Sequence, residues 1–472
     1  MPVTPPGALT DIDKAVQAVK ESKARAKQVR AKPAKESEPA KTEVEAKAAT
    51  TTPLKVFRGE DINESPVLPR IETGDLIVNA ATLTQALRQV AGVVNNTSSL
   101  PILTQTRITV DGDKITLMGT DLDTFIEVNL KALHGASKLK IDCCVDVKRM
   151  IHAVSESQIS YLKEKLVVFG SDNAKVWFGV KREITLLTME SKDFPPTPDL
   201  SKNAKLTKGT FRDPAKFAKA LTPAASEDES RYILQGVFVT PEALAATDGR
   251  RLHTVGAENC SAKLVMEKVG KDGGGIIMPT AMFERIGSFG DTVDFEVFGR
   301  KVAKAKKGDP KDLNTLVGAV QVRVKNRFTP SVEESSITMT SKLIDGIYPN
   351  YKQVIPHEAA QTHEVNAEAV LRHLRKTDVV EGDASLVKLT IETNRLTISV
   401  NNPDIGKADH LELPVKDGTP MAMTLNSRYL ADAVGSAQTE IVRLGFVDAL
   451  TPIVVEGSDS WLRGVVMPCR NS

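Results

Sequence analysis

Two interleaved series of amphipathic segments, almost evenly spaced, constrain this 472-residue chain more than any other feature. The first series opens at Asn79, ahead of Leu83, Ala86, Leu87, Val90 and Val94; it returns at Asp213–Pro214, ahead of Phe217, Ala220 and Leu221, and at Asn366, ahead of Val370, Leu371 and Leu374. The second opens at Asp146 (Met150, Ile151, Val154), Pro279 (Met282, Phe283, Ile286) and Asn426 (Tyr429, Leu430, Ala433, Val434). A capping residue or proline followed by apolar positions three and four apart is the signature of a helix with one buried face. The first-to-second distances are 67 residues (79 to 146), 65 (213 to 278) and 60 (366 to 426). Three such intervals predict three repeats. Between the helices, β-branched alternating runs at 106–117, 237–240, 386–400 and 441–455, broken by Asp-Gly, Asn-Asn-Pro and Gly turns, predict antiparallel strands. Each repeat is expected to lay two helices on a sheet, an α+β arrangement.

The step from one repeat to the next is 67 residues (146 to 213) in one case and 88 (278 to 366) in the other. The surplus of 21 is assigned to 300–327, where Arg300, Lys301, Lys304, Lys306, Lys307, Lys311, Arg323, Lys325 and Arg327 meet only Asp309 and Asp312 around a Gly308-Asp309-Pro310 breaker. This predicts a basic insertion in the second repeat, as an extended hairpin or mobile loop. Residues 1–72 are rich in Ala, Lys, Glu and Pro with few large apolar side chains, too few to offset the entropy cost of ordering, so a disordered tail is expected. Within it, 11–30 has the composition for a transient helix but only a thin apolar stripe, Val16 and Val19. The expected domains are 1–72 (tail), 73–205, 206–356 (with the insertion) and 357–472.

Composition excludes several classes. The chain has no apolar run of roughly 18 residues and no secretory-signal order at its start, so a cytoplasmic location is expected. Cys143, Cys144, Cys260 and Cys469 follow no zinc spacing and read as reduced thiols. The seven histidines, His134, His152, His253, His357, His363, His373 and His410, show no metal-binding spacing. Gly273-Gly274-Gly275 lacks the Gly-Lys-Ser/Thr of a phosphate loop and reads as a turn. Asp121 and Asp123 are close enough to suggest a divalent ion but fit a half-exposed turn better. No nucleophile with a positioned base is evident, so no catalytic residue, metal or cofactor is expected. A net charge of +2 confines any nucleic-acid surface to a local patch.

Four ordered motifs then narrow the reading. "SLPILTQTRITV" with "ITLMGTDLDTFIEV", "SRYILQGVFV" with "AATDGRRLHTVG", "SKLIDGIYPNYKQVIP" and the terminal "GVVMPCR" resemble the bacterial DNA polymerase III beta subunit, the sliding-clamp family, from about Gly74 to Arg470. The resemblance implies a three-repeat clamp fold, helices lining an inner wall and antiparallel sheets outside, closed into a ring as a head-to-tail homodimer. Its implied role is a non-enzymatic processivity factor that encircles duplex DNA without sequence preference and tethers the replicative polymerase and other proteins carrying short clamp-binding motifs, after placement by a separate clamp loader. The alternatives are a clamp-like adaptor that binds such motifs without closing on DNA, and a sequence-specific DNA-binding regulator.

On the same resemblance, a peptide pocket is expected from Arg231, Leu234, Thr247, Gly249, Arg250, Arg251, Leu252, Pro349, Gln353, Val354, Tyr429, Leu450, Pro452, Val465, Met467, Pro468 and Cys469. Aliphatic walls and a Met suit hydrophobic anchors, while Arg and Thr at the rim suit a peptide backbone. Gln353, Pro452 and Cys469 depart from the Arg, Ser and Met of the family pattern. The DNA-facing candidates, all helix-borne, are Arg88, Lys148, Arg149, Lys216, Lys219, Arg285, Arg372, Arg375 and Lys376. Thr97 and Asp228 stand where family members carry Arg and Gln near DNA, which shifts attention to the basic insertion.

Overall fold

The computed structural model describes residues 75–94, 98–135, 139–161, 164–256, 275–299, 317–325, 335–381, 386–399, 401–402, 406–407 and 410–469. The chain divides into Met1–Ser65 and Pro66–Ser472, and every described residue lies in the second unit. The expected tail, and the transient helix expected within it at 11–30, therefore lie outside the described residues, as do Thr97, Cys260, Gly273 and Gly274.

All six expected helices form: α1 (Ala80–Ala91), α2 (Val147–Glu156), α3 (Pro214–Leu221), α4 (Thr280–Ser288), α5 (Ala367–Glu381) and α6 (Ser427–Ser436). Four start at a side-chain cap that satisfies an otherwise orphaned backbone N–H. Asn79 accepts from Thr82 N at 3.0 Å, Asp146 from Arg149 N at 2.9 Å, Asn366 from Ala369 N at 2.9 Å and Asn426 from Tyr429 N at 3.1 Å. Two starts differ from expectation. Asp213 adopts left-handed backbone (φ 49°) and makes no side-chain cap; its N–H donates to the Asp291 carbonyl at 2.7 Å instead. Pro279 takes the cap position rather than the first turn.

The helices pack in pairs, α1 on α2, α3 on α4 and α5 on α6. Their periodic positions are buried, for example Leu83, Ala86, Leu87 and Val90 on α1 and Met282, Phe283 and Ile286 on α4. Ile151, Leu371 and Tyr429 are only half-buried, at the margins of their stripes. Each fully buried aliphatic side chain contributes roughly 1.5–3 kcal/mol, so the stripes outweigh the weak intrinsic stability of helices this short.

The named strands pair antiparallel in sheets of six, nine, eight, four and two strands. The nine-stranded sheet crosses from the first repeat to the second where Thr124–Lys131 pairs Ser336–Lys342 (Ile126 opposite Met339), and the eight-stranded sheet crosses from second to third where Arg251–Gly256 pairs Leu462–Val466 (Leu252 opposite Val465). Strict alternation fixes these registers: Thr124–Lys131 buries every second residue, and a one-residue slip would turn that set to solvent. Inside the second repeat Phe211 stacks on Phe295 at 4.6 Å and meets Phe283 edge-on at 5.7 Å. Gly209 is required there, because a Cβ would come within 2.5 Å of the Phe295 ring.

One expectation is narrowed. Val317–Lys325 is a strand of the nine-stranded sheet, hydrogen-bonded on one side to Thr292–Gly299 and on the other to Ser336–Lys342. Of the two forms expected for the insertion, Arg323 and Lys325 fit the hairpin and not the mobile loop: their strand pairs antiparallel with the preceding strand Thr292–Gly299, and alternating Val320, Val322 and Val324 carry its period. The remaining stretches, 300–316 and 326–327, lie outside the described residues.

Candidate functional site

Where the eight-stranded sheet crosses from the second repeat to the third, a tight hairpin turn at 247–251 gathers much of the expected pocket. Thr247 Oγ1 donates to the Arg251 carbonyl (2.5 Å) and accepts from Gly249 N (3.1 Å), while Asp248 Oδ1 accepts from Arg250 N (2.8 Å) and Arg251 N (3.0 Å). Gly249 holds φ +85°, a region that favours glycine. Arg231 reaches over this turn and donates to the Asp248 carbonyl at 2.9 Å. From the third repeat, Met467 N donates to the Arg250 carbonyl at 3.0 Å, and Cys469 N to the Thr424 carbonyl at 2.8 Å, so Met467, Pro468 and Cys469 are threaded along the junction, each half-buried.

The Arg251 guanidinium, expected at the rim, is engaged within the protein. It pairs with Asp248 Oδ2 (3.1 Å) and with Asp432 Oδ2 on α6, and its plane lies over the Tyr429 ring at 4.5 Å. Burial pushes the Asp432 carboxyl up from its ordinary value, with Arg251 opposing that rise. Arg251 is a tie between the repeats.

Leu252 and Val465, expected as pocket walls, form a sealed base: each is 1% exposed, packed with Ala245, Ile277, Tyr348 and Tyr351. Tyr348 stacks on Phe238 at 4.7 Å, and its hydroxyl oxygen accepts from Thr247 N at 3.0 Å. Burial raises the Tyr348 hydroxyl well above its usual value, so it stays protonated. The open surface lies beside this base, where Ser230, Arg231, Tyr232, Ile233, Leu234, Ile347 and Pro349 line a cavity of about 240 Å³. Ser230, Tyr232, Ile233 and Ile347 are not among the expected pocket residues. Ile347, 72% exposed in a Gly-Ile-Tyr-Pro turn, is the kind of signal that marks such a surface, as an apolar side chain where solvent favours a polar one. Gly346 (φ +147°) presses this turn onto Ile233, where a Cβ would approach to 2.8 Å. Gln353 and Val354 are exposed near the same junction segment, and from the third repeat come exposed Leu450, half-buried Pro452 and half-buried Tyr429.

Of the nine helix-borne cations, Arg88, Lys148, Arg149, Lys219, Arg372, Arg375 and Lys376 are exposed. The other two are half-buried and take part in contacts between repeats. Arg285 lies against Gly92 at the C-terminal end of α1, where a cation favours the helix carbonyls, and Ser288 donates to Gln89 at 3.1 Å beside it. Lys216 sits 4.1 Å over the Trp461 ring and 4.0 Å from Asp459, while its carbonyl accepts from Gln438 Nε2 at 2.8 Å. Lys216 and Lys219 also border a polar cavity of about 460 Å³ with Asp213, Asp291 and Gln438. Asp228 caps the 3-10 turn Glu229–Leu234 through Ser230 N at 2.9 Å, and the Ser230 hydrogen bonds hold its carboxyl below the usual range.

Asp121 Oδ1 accepts from the N–H groups of Asp123 and Thr124 (3.0 and 2.6 Å), and Asp123 pairs with Lys342 at 2.7 Å; among the described residues no cluster of three or more metal-ligating side chains occurs. Cys143 and Cys144 are free and buried, and burial pushes their thiols up to about 11 and about 12, while Cys469 is free and half-buried. Among the described residues no helix is long and apolar enough to cross a membrane.

Comparison with known proteins agrees with this geometry. Residues 75–198 match the model of the DNA polymerase III beta subunit N-terminal domain, and 352–470 that of its C-terminal domain, together just over half of the chain. The beta sliding clamp of Haemophilus influenzae is 24% identical over 401 residues, covering 83% of this chain and 99% of that protein. The DNA polymerase III subunit beta of Pseudomonas aeruginosa superposes with a TM-score of 0.65 at 21% identity, over 84% of this chain and all of the other. A Helicobacter pylori beta clamp bound to a DNA ligase peptide superposes with a TM-score of 0.63 at 16% identity, over 84% and 100%. With both domain models in order along three sheet-linked repeats, the chain belongs to the DNA polymerase III beta subunit family, the DNA sliding clamps.

Proposed function

We propose that this sliding clamp closes on itself as a head-to-tail pair of chains, each with domains at 73–205, 206–356 and 357–472, and that the ring encircles duplex DNA and holds the replicative polymerase and other partners by short peptides. The observation that carries the reading is the way sheets cross between repeats. Both crossings join the sheet built on the earlier strands of one repeat (124–131, 251–256) to the sheet built on the later strands of the next (336–342, 462–466). What remains is the sheet of later strands in the first repeat, whose edge strand is Ile184–Leu187, and the sheet of earlier strands in the third repeat, whose corresponding edge strand is Leu411–Pro414. An open edge with Leu187 76% exposed invites pairing, and joining the two unlike edges repeats the internal rule. One chain cannot satisfy both edges and enclose a duplex; two can.

The seven exposed helical cations supply non-specific attraction to phosphates, and none needs to lock onto a base for a ring to slide. The cavity beside Leu234 and Ile347 suits the apolar anchor of a partner peptide, as the peptide-bound Helicobacter relative suggests. A separate loader opens and places the ring, and the protein itself performs no catalysis. Light scattering over a dilution series tests closure: a stable particle of twice the 51.1 kDa chain mass is expected. A monomer throughout would point to an adaptor that binds peptides without enclosing DNA.

A further inference from the structure

The turn at the centre of the peptide cleft recurs, bond for bond, in the first repeat. At 120–124, Thr120 Oγ1 donates to the Thr124 carbonyl (2.8 Å) and accepts from Leu122 N (2.9 Å), while Asp121 Oδ1 accepts from Asp123 N (3.0 Å) and Thr124 N (2.6 Å). These are the bonds that Thr247 and Asp248 make in the second repeat. The bond across the junction recurs too: Lys342 N donates to the Asp123 carbonyl at 3.0 Å, as Met467 N does to Arg250. Phe125 opposite Thr340 takes the place of Leu252 opposite Val465. Upstream, Ser-Leu-Pro-Ile-Leu at 99–103 aligns with Ser-Arg-Tyr-Ile-Leu at 230–234, and each runs through a 3-10 turn into the next strand.

The differences fall at the rim. Leu100 replaces Arg231, Leu122 replaces Gly249 and Asp123 replaces Arg250. Leu100 is 53% exposed and Leu122 41% exposed, two large apolar side chains left in solvent at matching positions of one motif. Leu122 moreover holds φ +80°, strained for a branched side chain where the second repeat uses glycine. A partly exposed leucine in a glycine conformation carries a backbone cost that glycine would avoid.

We propose that the junction of the first and second repeats carries a second docking site, for an extended peptide with apolar anchors and basic flanks. The peptide-cleft reading of the first site supplies the template, and the assignment rests on it. Loss of both rim guanidiniums removes what would favour an acidic flank, and the Asp121 and Asp123 carboxylates, against the one Lys342 ammonium that pairs with Asp123 at 2.7 Å, leave this turn net negative and favour a basic one.

The test uses the full chain, titrated calorimetrically with two synthetic peptides that share apolar anchors and differ only in lysine or aspartate flanks. Two lysine-flanked peptides per chain and one aspartate-flanked peptide are expected. Leu122→Gly, which fits the backbone without strain, and Leu100→Ser should each weaken the second lysine-flanked event at least tenfold and leave aspartate-flanked binding unchanged. A single lysine-flanked event indifferent to both variants, or two events indifferent to both, overturns the proposal. If the aspartate-flanked peptide fails to bind while one lysine-flanked event is lost in Leu122→Gly, the second site stands and the first cleft's assignment falls.

Discussion

His253 should make the fold acid-sensitive through one buried ring. It lies in the strand Arg251–Gly256, fully buried, with Nδ1–H donating to the Ala220 carbonyl on α3 at 2.6 Å and Nε2 facing no partner. Burial lowers its pKa from 6.5 to about 4; the Ala220 bond opposes that shift, and Arg251 adds to it. A depressed folded pKa means the unfolded chain binds the extra proton, so the His253 contribution is intact above pH 6.5 and is lost as pH falls toward 4. At pH 4.5 the unfolded ring is about 99% protonated and the folded ring about a quarter, which removes about 2.5 kcal/mol. His253→Asn retains an N–H for Ala220 and cannot titrate. Urea unfolding of both proteins at pH 7 and pH 4.5 should show the wild type losing about 2.5 kcal/mol more than the variant on acidification. Equal losses would refute the reasoning, since acid sensitivity would then arise elsewhere.

Three further outcomes follow from particular contacts. Arg251→Met should destabilise the chain by about 2–3 kcal/mol by leaving Asp248 and Asp432 without their cation, an effect reduced from the buried-pair range because Asp432 is partly exposed; a melting temperature within error of wild type would contradict the tie. In native protein at pH 8, iodoacetamide should label Cys143 and Cys144 far more slowly than Cys469, because burial holds the first two as protonated thiols; comparable rates by peptide mass spectrometry would show that the strand opens. Leu187→Asp should leave the circular-dichroism melt within about 0.5 kcal/mol of wild type and shift the dimer toward monomer, as a charge on an open edge strand opposes pairing; an unchanged dimer would place closure elsewhere.

The repeat plan was legible because capped helices and alternating strands are local signals. Asn79, Asp146, Asn366 and Asn426 declare helix starts within three residues of their bonds. Asp213 misled because a left-handed start cannot be told from a capped one by residue type. At 317–325 the surplus of charge masks a valine period, which is why charge alone leaves hairpin and loop undecided there. The site was half legible: the motif placed Arg231, Leu234 and Pro349 on the open cavity, yet Leu252 and Val465 sank beneath Tyr348 and Tyr351, a long-range packing fact with no local mark. The Arg251 contact with Asp432, 181 residues away, likewise has no local mark in the sequence.

The most direct test of the central claim is retention on DNA of different topology. The protein, placed on nicked circular duplex by a clamp loader, is passed through a sizing column with and without prior cleavage of the circle. A ring that encloses DNA should co-elute with the circle and be lost once the circle is cut. Equal retention on both forms, or retention on neither, would contradict topological enclosure.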